Sequence, residues 1–386
     1  MLLSTSSYFC PTKVILGNGC YRQIPGLLDD LSADKVLLVV DPALTEVGYV
    51  KEIRGMLSEK GVSFDIFSGI EPDPCDNSVA EALALSASLG AELVLAIGGG
   101  STIDVAKAVA IVSTNGGRIH DYEGMEKFSI DPLPLIAMPT TAGTGSEVSG
   151  SCVITDKARG VKMSIRHARL NPARVALLDP LALQSLPPHV ASHSGLDAFV
   201  HAFESYISRN SNPFSSAVTL HAIRLISGNI RQHVANPANT DAALEMLCGS
   251  ALAGMAFGQT GLGNVHCMAR FIGARYHISH GLSNALCLPV VARFNMISNP
   301  KLYRDVAQAM GCNTEHLSLM EAANAAVTAI TDLCRDLGIP GHLSEIGLKE
   351  DHIPELARLC IGAGYNKWNP RLTSEQDFAA LFKDAL

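Results

Sequence analysis

An α/β N-terminal domain built on a parallel sheet, followed by an all-α C-terminal domain, is what the sequence predicts. Three observations carry that prediction. Short apolar, β-branched runs alternate with stretches of helical periodicity through the first half of the chain. Such runs become scarce after Leu186-Pro187-Pro188, where Ala-, Leu- and Ser-rich segments take over. The length, 386 residues, is enough for two domains that each bury a core. The boundary is placed accordingly, with domains at 1–187 and 188–386.

In order along the chain, Lys35–Val40, Val62–Phe67 and Leu93–Ile97 have strand length and composition. Between them, Tyr49–Lys60 and Ser78–Leu89 carry apolar residues at helical spacing. A parallel strand pair needs a crossover, so this alternation predicts a parallel, helix-flanked sheet. Leu135–Met138, Cys152–Thr155 and Val175–Leu178 are further strand candidates. In the second half, Ser215–Gln232, Asp241–Phe257, Ser318–Leu337 and Ser374–Leu386 read as helices.

Hydrophobic content of 47% with 17% charged residues describes a soluble globule, and a net charge of −8 argues against nucleic acid or an anionic membrane as partner. The longest apolar region, around Ala80–Ser113, is interrupted by Glu81, Glu92, Asp104 and Lys107. Its Gly98-Gly99-Gly100 would break a spanning helix. The start, Met1–Ser7, lacks a basic n-region and a long apolar h-region, and the ten cysteines include no C-x-x-C pair. Free thiols in a reducing cytoplasm are expected.

Leu93–Ile97 runs into Gly98-Gly99-Gly100-Ser101-Thr102-Ile103-Asp104, a strand, a glycine turn and a helix start. Glycines let backbone approach a pyrophosphate, and a helix N-terminus offers unpaired N–H groups. Ser101 is the expected cap, with Asp104 as its reciprocal partner. No G-x-G-x-x-G is present, so the sheet is Rossmann-like without that fingerprint. A second polar loop, Pro139–Glu147, follows the strand ending at Met138; its hydroxyls suit phosphate or ribose. Asp41 closes the Lys35–Val40 strand, where a carboxylate accepts from ribose hydroxyls and repels a 2′-phosphate, favouring NAD over NADP.

Asp197 and His201 are four residues apart, hence on one helix face and roughly 6 Å from each other. His266 and His280 lie in apolar, Gly-rich surroundings, where a polar side chain needs a partner. Together the four read as one metal site. On a straight helix His266 and His280 would be about 21 Å apart, so the chain must fold back between them, with Gly273 as the candidate break.

This combination resembles the iron-dependent (group III) alcohol dehydrogenase family, within the dehydroquinate-synthase-like superfamily. The collinear matches are Pro11-Thr12-Lys13-Val14 with Gly17, Glu71-Pro72-Asp73-Pro74, Asp121-Tyr122-Glu123-Gly124, Asp179-Pro180, Gly195-Leu196-Asp197-Ala198 and Asn369-Pro370-Arg371. The resemblance implies an N-terminal domain that binds a nicotinamide dinucleotide and a helical domain that binds a divalent metal. It implies Asp197, His201, His266 and His280 as the metal ligands. Along the cofactor it implies Asp41, Asp73, Gly99, Gly100, Ser101, Asp104, Thr140, Thr141, Thr144 and Lys162. Iron is implied by the resemblance; zinc would accept the same ligands. A dimer or larger homo-oligomer is likewise implied by the family alone.

The departures from the family pattern bear on the substrate. Where members commonly carry His-x-Met-Ala-His, this chain has His266-Cys267-Met268-Ala269-Arg270. Arginine stays protonated, so Arg270 is a poor proton shuttle but a good partner for a carboxylate or phosphate. Ser279 stands where proline usually precedes the last ligand, and Leu183 where threonine is frequent. The expected reaction is reversible hydride transfer between an alcohol and NAD, on a small substrate that Arg270 would let carry an acidic group. The alternatives are a lyase of the dehydroquinate-synthase type and a degenerate member that binds metal and dinucleotide without turnover.

Overall fold

The computed structural model describes residues 5–71 and 73–386. The first four residues of the Met1–Ser7 start and Pro72 of the Glu71–Pro74 match lie outside the described residues. The chain divides into two compact units: Phe9–Leu186, and Pro187–Leu386 together with the described residues before Phe9.

In the Phe9–Leu186 unit the strands are β1 (Lys13–Leu16), β2 (Lys35–Val40), β3 (Ser63–Phe67), β4 (Leu93–Gly98), β5 (Gly124–Met125), β6 (Leu135–Pro139), β7 (Ser151–Asp156), β8 (Val161–Arg166) and β9 (Val175–Leu178). Its helices are α1 (Ile24–Asp30), α2 (Gly48–Lys60), α3 (Asp76–Leu89) and α4 (Gly100–Asn115). Six strands form one all-parallel sheet in the order β1-β9-β6-β4-β2-β3. The interior strands β4, β6 and β9 are buried along their whole length. They can be continuously apolar because helices cover both faces of such a sheet.

From β2 the chain moves outward to β3, then crosses back past β2 to β4 and continues to β6. With right-handed crossovers, α2 lies on one face and α3 and α4 on the other. One core cluster gathers Leu37, Val39, Val94 and Ala96 with residues of α3 and α4, as that handedness requires. The reversal between β2 and β4 is a topological switch point, and the crevice beyond the carboxyl ends of such strands is where ligands bind. Asp41 and the Gly98–Gly100 turn sit at those ends, joined by the Asp41 N–H donating to the Ile97 carbonyl at 2.9 Å.

β7 and β8 form an antiparallel hairpin, to which β5 adds a short parallel strand. The hairpin packs Cys152, Ile154, Met163 and Ile165 onto the α3/α4 side of the core. β1 and β8 were not evident as strands, because both are largely exposed and neither forms an apolar run.

The Pro187–Leu386 unit contains no strand among the described residues. Its helices are α5 (Pro188–Ile207), α6 (Pro213–Ala235), α7 (Thr240–Thr260), α8 (Asn264–Tyr276), α9 (His280–Met296), α10 (Pro300–Ala309), α11 (Leu319–Asp336), α12 (Ile353–Gly362) and α13 (Glu375–Asp384). The predicted α/β half followed by an all-helical half is therefore the observed architecture. All ten cysteines are free, and no helix is long and apolar enough to cross a membrane among the described residues.

Two local expectations are corrected. Gly273 does not break the helix: α8 runs through it and ends at His277, which adopts φ 52°. Gly273 is small for another reason, since a Cβ there would lie 3.0 Å from the Ser283 Oγ of α9. Nor does Ser101 cap α4. The N-cap is Gly99, without a side-chain cap, and Ser101 lies inside the first turn. The Asp104 carboxylate accepts instead from the Ser146 hydroxyl at 2.6 Å and the Val153 N–H at 2.9 Å.

Candidate metal centre and dinucleotide loops

α5 begins with Pro188, whose fixed φ suits the first helical position. From Gly195 to Ile207 every residue is buried, so its polar side chains face protein. A Cβ at Gly195 would lie 2.6 Å from Ile230 Cδ1 and 2.9 Å from Met246 Cε, which shows how closely α6 and α7 approach. Asp197 and His201 project one turn apart, with Asp197 Oδ2 4.0 Å from His201 Nδ1. Phe257 of α7 stacks on the His201 ring at 4.4 Å between centroids.

His266 stands in the first turn of α8 and His280 is the first residue of α9. The chain reverses through His277–Ser279, and both imidazoles come to the same carboxylate. Asp197 Oδ1 lies 3.7 Å from His266 Nε2 and 3.8 Å from His280 Nε2. Ligand atoms of Asp197, His201 and His266 all fall within 4.8 Å of one another. Two atoms bound to one ion through ~2.1 Å bonds are up to about 4.2 Å apart, and the distances of 4.0, 3.7 and 3.8 Å from Asp197 to the three imidazoles fit that limit. One carboxylate oxygen and three imidazole nitrogens also suit iron or zinc chemically. Asp197, His201 and His266 are buried, whereas the His280 side chain is 52% exposed.

Burial opposes ionisation of Asp197, but the facing His201, His280 and His266 and the Asn284 amide outweigh it and hold its carboxyl below the usual range. Burial and the neighbouring histidines push His266 well below its ordinary value, toward the neutral form that a metal requires.

Two members of the cluster were not evident in the sequence. Asn284, one turn after His280, donates from Nδ2 to Asp197 Oδ1 at 2.6 Å and sits 3.2 Å from the Nε2 of both His266 and His280. Glu204, one turn beyond His201, lies 2.8 Å from His266 Nδ1 and accepts from the N–H groups of Gly263 and Val265. Burial raises its carboxyl to about 7 against those backbone donors. The i, i+4, i+7 spacing of Asp197, His201 and Glu204 was the one available signal.

The helix starts are held by contacts that fix the ligands. A Cβ at Gly281 would stand 2.1 Å from the His193 carbonyl oxygen, so α9 meets α5 backbone to backbone beside His280. A Cβ at Gly263 would stand 2.9 Å from Asn369 Oδ1 and 3.0 Å from Glu204 Oε1. Asn369 also takes the Asn264 N–H and exchanges side-chain bonds with Asn295, which gives the Asn369-Pro370-Arg371 match a role in seating α8. Arg270 follows His266 by one turn on α8 and is exposed; among the described residues its guanidinium has no ion-pair partner.

In the other unit, the glycine and threonine loops meet at the sheet's carboxyl end. The Thr140 N–H donates to the Gly98 carbonyl at 3.1 Å. Cβ positions built at Gly99 and Gly100 would lie 3.4 Å from Thr141 Oγ1 and 2.7 Å from Thr144 Cγ2. The N-cap of α4, Gly99, makes no side-chain cap bond, which suits a phosphate seat. Asp41 caps the short turn Pro42–Leu44 through the Ala43 N–H. Asp73 and Lys162 pair with each other on the surface. Asp104 turns its carboxylate into the protein, so its local role is to tie the threonine loop and β7 to α4. Lys107 is buried and donates to the Ser149 and Ser151 carbonyls at 2.8 Å each.

A further grouping, Asp76, His120 and Asp156, has metal-like spacing, but Arg159 Nε already occupies the Asp156 oxygen that faces His120. It is a polar tether between α3, the Ile119–Tyr122 turn and β7.

Comparison with known proteins agrees with this geometry. The profile of iron-containing alcohol dehydrogenase matches residues 11–180, and that of the C-terminal part of the Fe-containing alcohol dehydrogenase family matches residues 191–386. The chain belongs to the iron-containing alcohol dehydrogenase family, and is thus an oxidoreductase. It is 39% identical to 1,3-propanediol dehydrogenase of Klebsiella pneumoniae over 387 residues, covering 100% of this chain and 98% of that protein. The crystal structure of a 1,3-propanediol oxidoreductase superposes with a TM-score of 0.96 at 39% identity, covering 99% and 100% of the two chains. Sulfoacetaldehyde reductase from Bifidobacterium kashiwanohense, solved in complex with NAD+, superposes with a TM-score of 0.90 at 26% identity, covering 99% of each.

Proposed function

We propose that this chain is an NAD-dependent enzyme that interconverts an alcohol and its aldehyde or ketone, with Fe²⁺ held by Asp197, His201, His266 and His280. The observation that carries the reading is the convergence of three imidazoles, those of His201, His266 and His280, on the Asp197 carboxylate. When bound, the divalent ion supplies Lewis acidity, lowering the pKa of an alcohol hydroxyl and polarising a carbonyl. Oxidation transfers a hydride from the alcohol carbon to NAD and releases the hydroxyl proton; reduction is the reverse.

The chain's own residues bind and orient. The N-terminus of α4, whose N-cap Gly99 makes no side-chain cap bond, takes the pyrophosphate, with Gly99, Gly100 and Ser101 allowing close approach. Asp41, at the switch point, takes the ribose hydroxyls and disfavours NADP. Thr140, Thr141 and Thr144 line the opposite wall. Asp73 and Lys162 lie along the cofactor by their match to the family, and Asp104 supports the site from beneath. NAD-dependent enzymes among the relatives support the choice of dinucleotide.

Arg270 bears on the substrate. It is exposed, unpaired among the described residues, and one helical turn from His266, so an acidic group on the substrate is its natural counter-ion. A relative named for an anionic aldehyde supports that reading. The free thiols support a cytoplasmic location, and the family resemblance supports a homodimer or larger assembly.

The test is a two-direction screen by NADH absorbance, with metal-loaded protein and paired neutral and acidic alcohols. Turnover with simple alcohols excludes the lyase alternative, and any turnover excludes the degenerate one. Arg270→Ala is expected to lose efficiency on acidic substrates selectively, by about 10- to 100-fold, roughly the 1.5–3 kcal/mol of a charge-assisted hydrogen bond. Equal losses on both classes would refute the anchoring role.

A further inference from the structure

We propose that Glu204 is the positioning residue that fixes His266 in its Nδ1–H tautomer and so turns the Nε2 lone pair toward Asp197. The inference rests on reading His266 as a metal ligand. With Glu204 ionised, the residue types and distances leave one arrangement. A carboxylate only accepts hydrogen bonds, so the His266 Nδ1 2.8 Å from Glu204 Oε2 is the donor. A neutral imidazole carries one N–H, so Nε2 is bare. The far side of the ring agrees independently: Nε2 lies 3.2 Å from the Asn284 amide nitrogen, which can only donate. Both neighbours therefore select the same tautomer, the one in which Nε2 can bind an ion.

Glu204 is itself held in place by the segment it organises. The Gly263 and Val265 N–H groups donate to its two oxygens at 3.0 and 2.7 Å, at the start of the helix that carries His266. These donors have no intrahelical partner, being in the first turn of α8. One carboxylate thus satisfies the helix start and orients the imidazole. Gly263 has room only for hydrogen, since a Cβ would press on Glu204 Oε1 and Asn369 Oδ1. The carboxylate cannot shift without unwinding that turn, so its hold on the ring is rigid. Outer partners of this kind contribute about 10- to 100-fold to metal affinity when removed.

Glu204→Gln keeps the shape but replaces one acceptor oxygen by a donor, which faces either the backbone N–H groups or His266 Nδ1–H. The measurement is the ¹⁵N ring shifts of His266 in the full-length, chelator-treated protein at pH 8. Alongside it, Co²⁺ and Zn²⁺ dissociation constants are measured by competition with a chromophoric chelator. The wild type is expected to show Nδ1–H. Glu204→Gln is expected to show Nε2–H with ion binding weakened about 10- to 100-fold, and Glu204→Asp to recover Nδ1–H and part of the affinity. A wild-type ring in the Nε2–H form overturns the proposal, even if Glu204→Gln fails to fold. A folded Glu204→Gln with Nδ1–H and wild-type affinity also overturns it. Wild-type protein that binds neither ion refutes the metal reading instead, while the ring shifts still decide what Glu204 does.

Discussion

Gly281→Ala tests whether the backbone contact between α9 and α5 sets the metal site. The added Cβ would stand 2.1 Å from the His193 carbonyl oxygen and 2.6 Å from its carbonyl carbon, where ordinary contact begins at 3.4 Å. Both obstacles are backbone and neither can rotate away, so the helices must separate locally by about 1.3 Å, the difference between those distances. Gly281 adjoins His280, and His193 precedes Asp197 by one turn, so the displacement acts on the 3.8 Å between the two candidate ligands. Added in full, it takes the pair to about 5 Å, beyond the ~4.2 Å that two atoms on one ion allow. Overpacking of this kind costs about 1–3 kcal/mol, and a ~1 Å misplacement about 100-fold in rate. The assays are ion affinity by chelator competition, kcat/KM by NADH absorbance, and melting temperature. Gly228→Ala is the internal control, because Gly228 lies within α6 with nothing within 4 Å of its Cβ position. It is expected to leave ion affinity and kcat/KM unchanged and stability equal or slightly raised. Wild-type ion affinity and kcat/KM in Gly281→Ala would refute the reasoning.

Asp41→Gly is expected to lower the ratio of NAD to NADP efficiency by at least tenfold, read from kcat/KM with each cofactor; an unchanged ratio removes Asp41 from the ribose site. Burial raises the Glu147 carboxyl from 4.5 to about 7, so the folded chain holds the extra proton between those values. Its contribution to stability therefore falls as pH rises from 4.5 through 7, reaching a penalty of up to about 3 kcal/mol above that range. Glu147→Gln is expected to melt with the wild type at pH 4 and above it at pH 8; equal shifts at both would contradict the assignment. Chelation of a protein loaded at 100 times the ion's Kd is expected to remove about 2.7 kcal/mol of apparent stability along with activity. Differential scanning calorimetry before and after metal return checks it, and an unchanged melting curve would argue against a bound ion.

Strands β2, β4, β6 and β9 were legible because an interior parallel strand, flanked by helices, must be apolar along its length. Strand β1, at the sheet edge, and β8, buried only at Met163 and Ile165, lack that signature. The four candidate ligands were legible as residue types, since histidines in apolar surroundings and a carboxylate and imidazole at helical spacing require partners. Glu204 and Asn284 were not, because their partners are 62 and 87 residues away in the chain.

The local pattern of this sequence determined the interior strands, the longer helices and which side chains need a charge or lone pair satisfied, because periodicity and apolar composition are properties of short windows. Only the tertiary structure decided that the reversal falls at His277 and not Gly273, that Asp104 faces inward, and that Glu204 and Asn284 grip the ligand set. Those outcomes depend on where one helix meets another, a distance that no window of the chain contains.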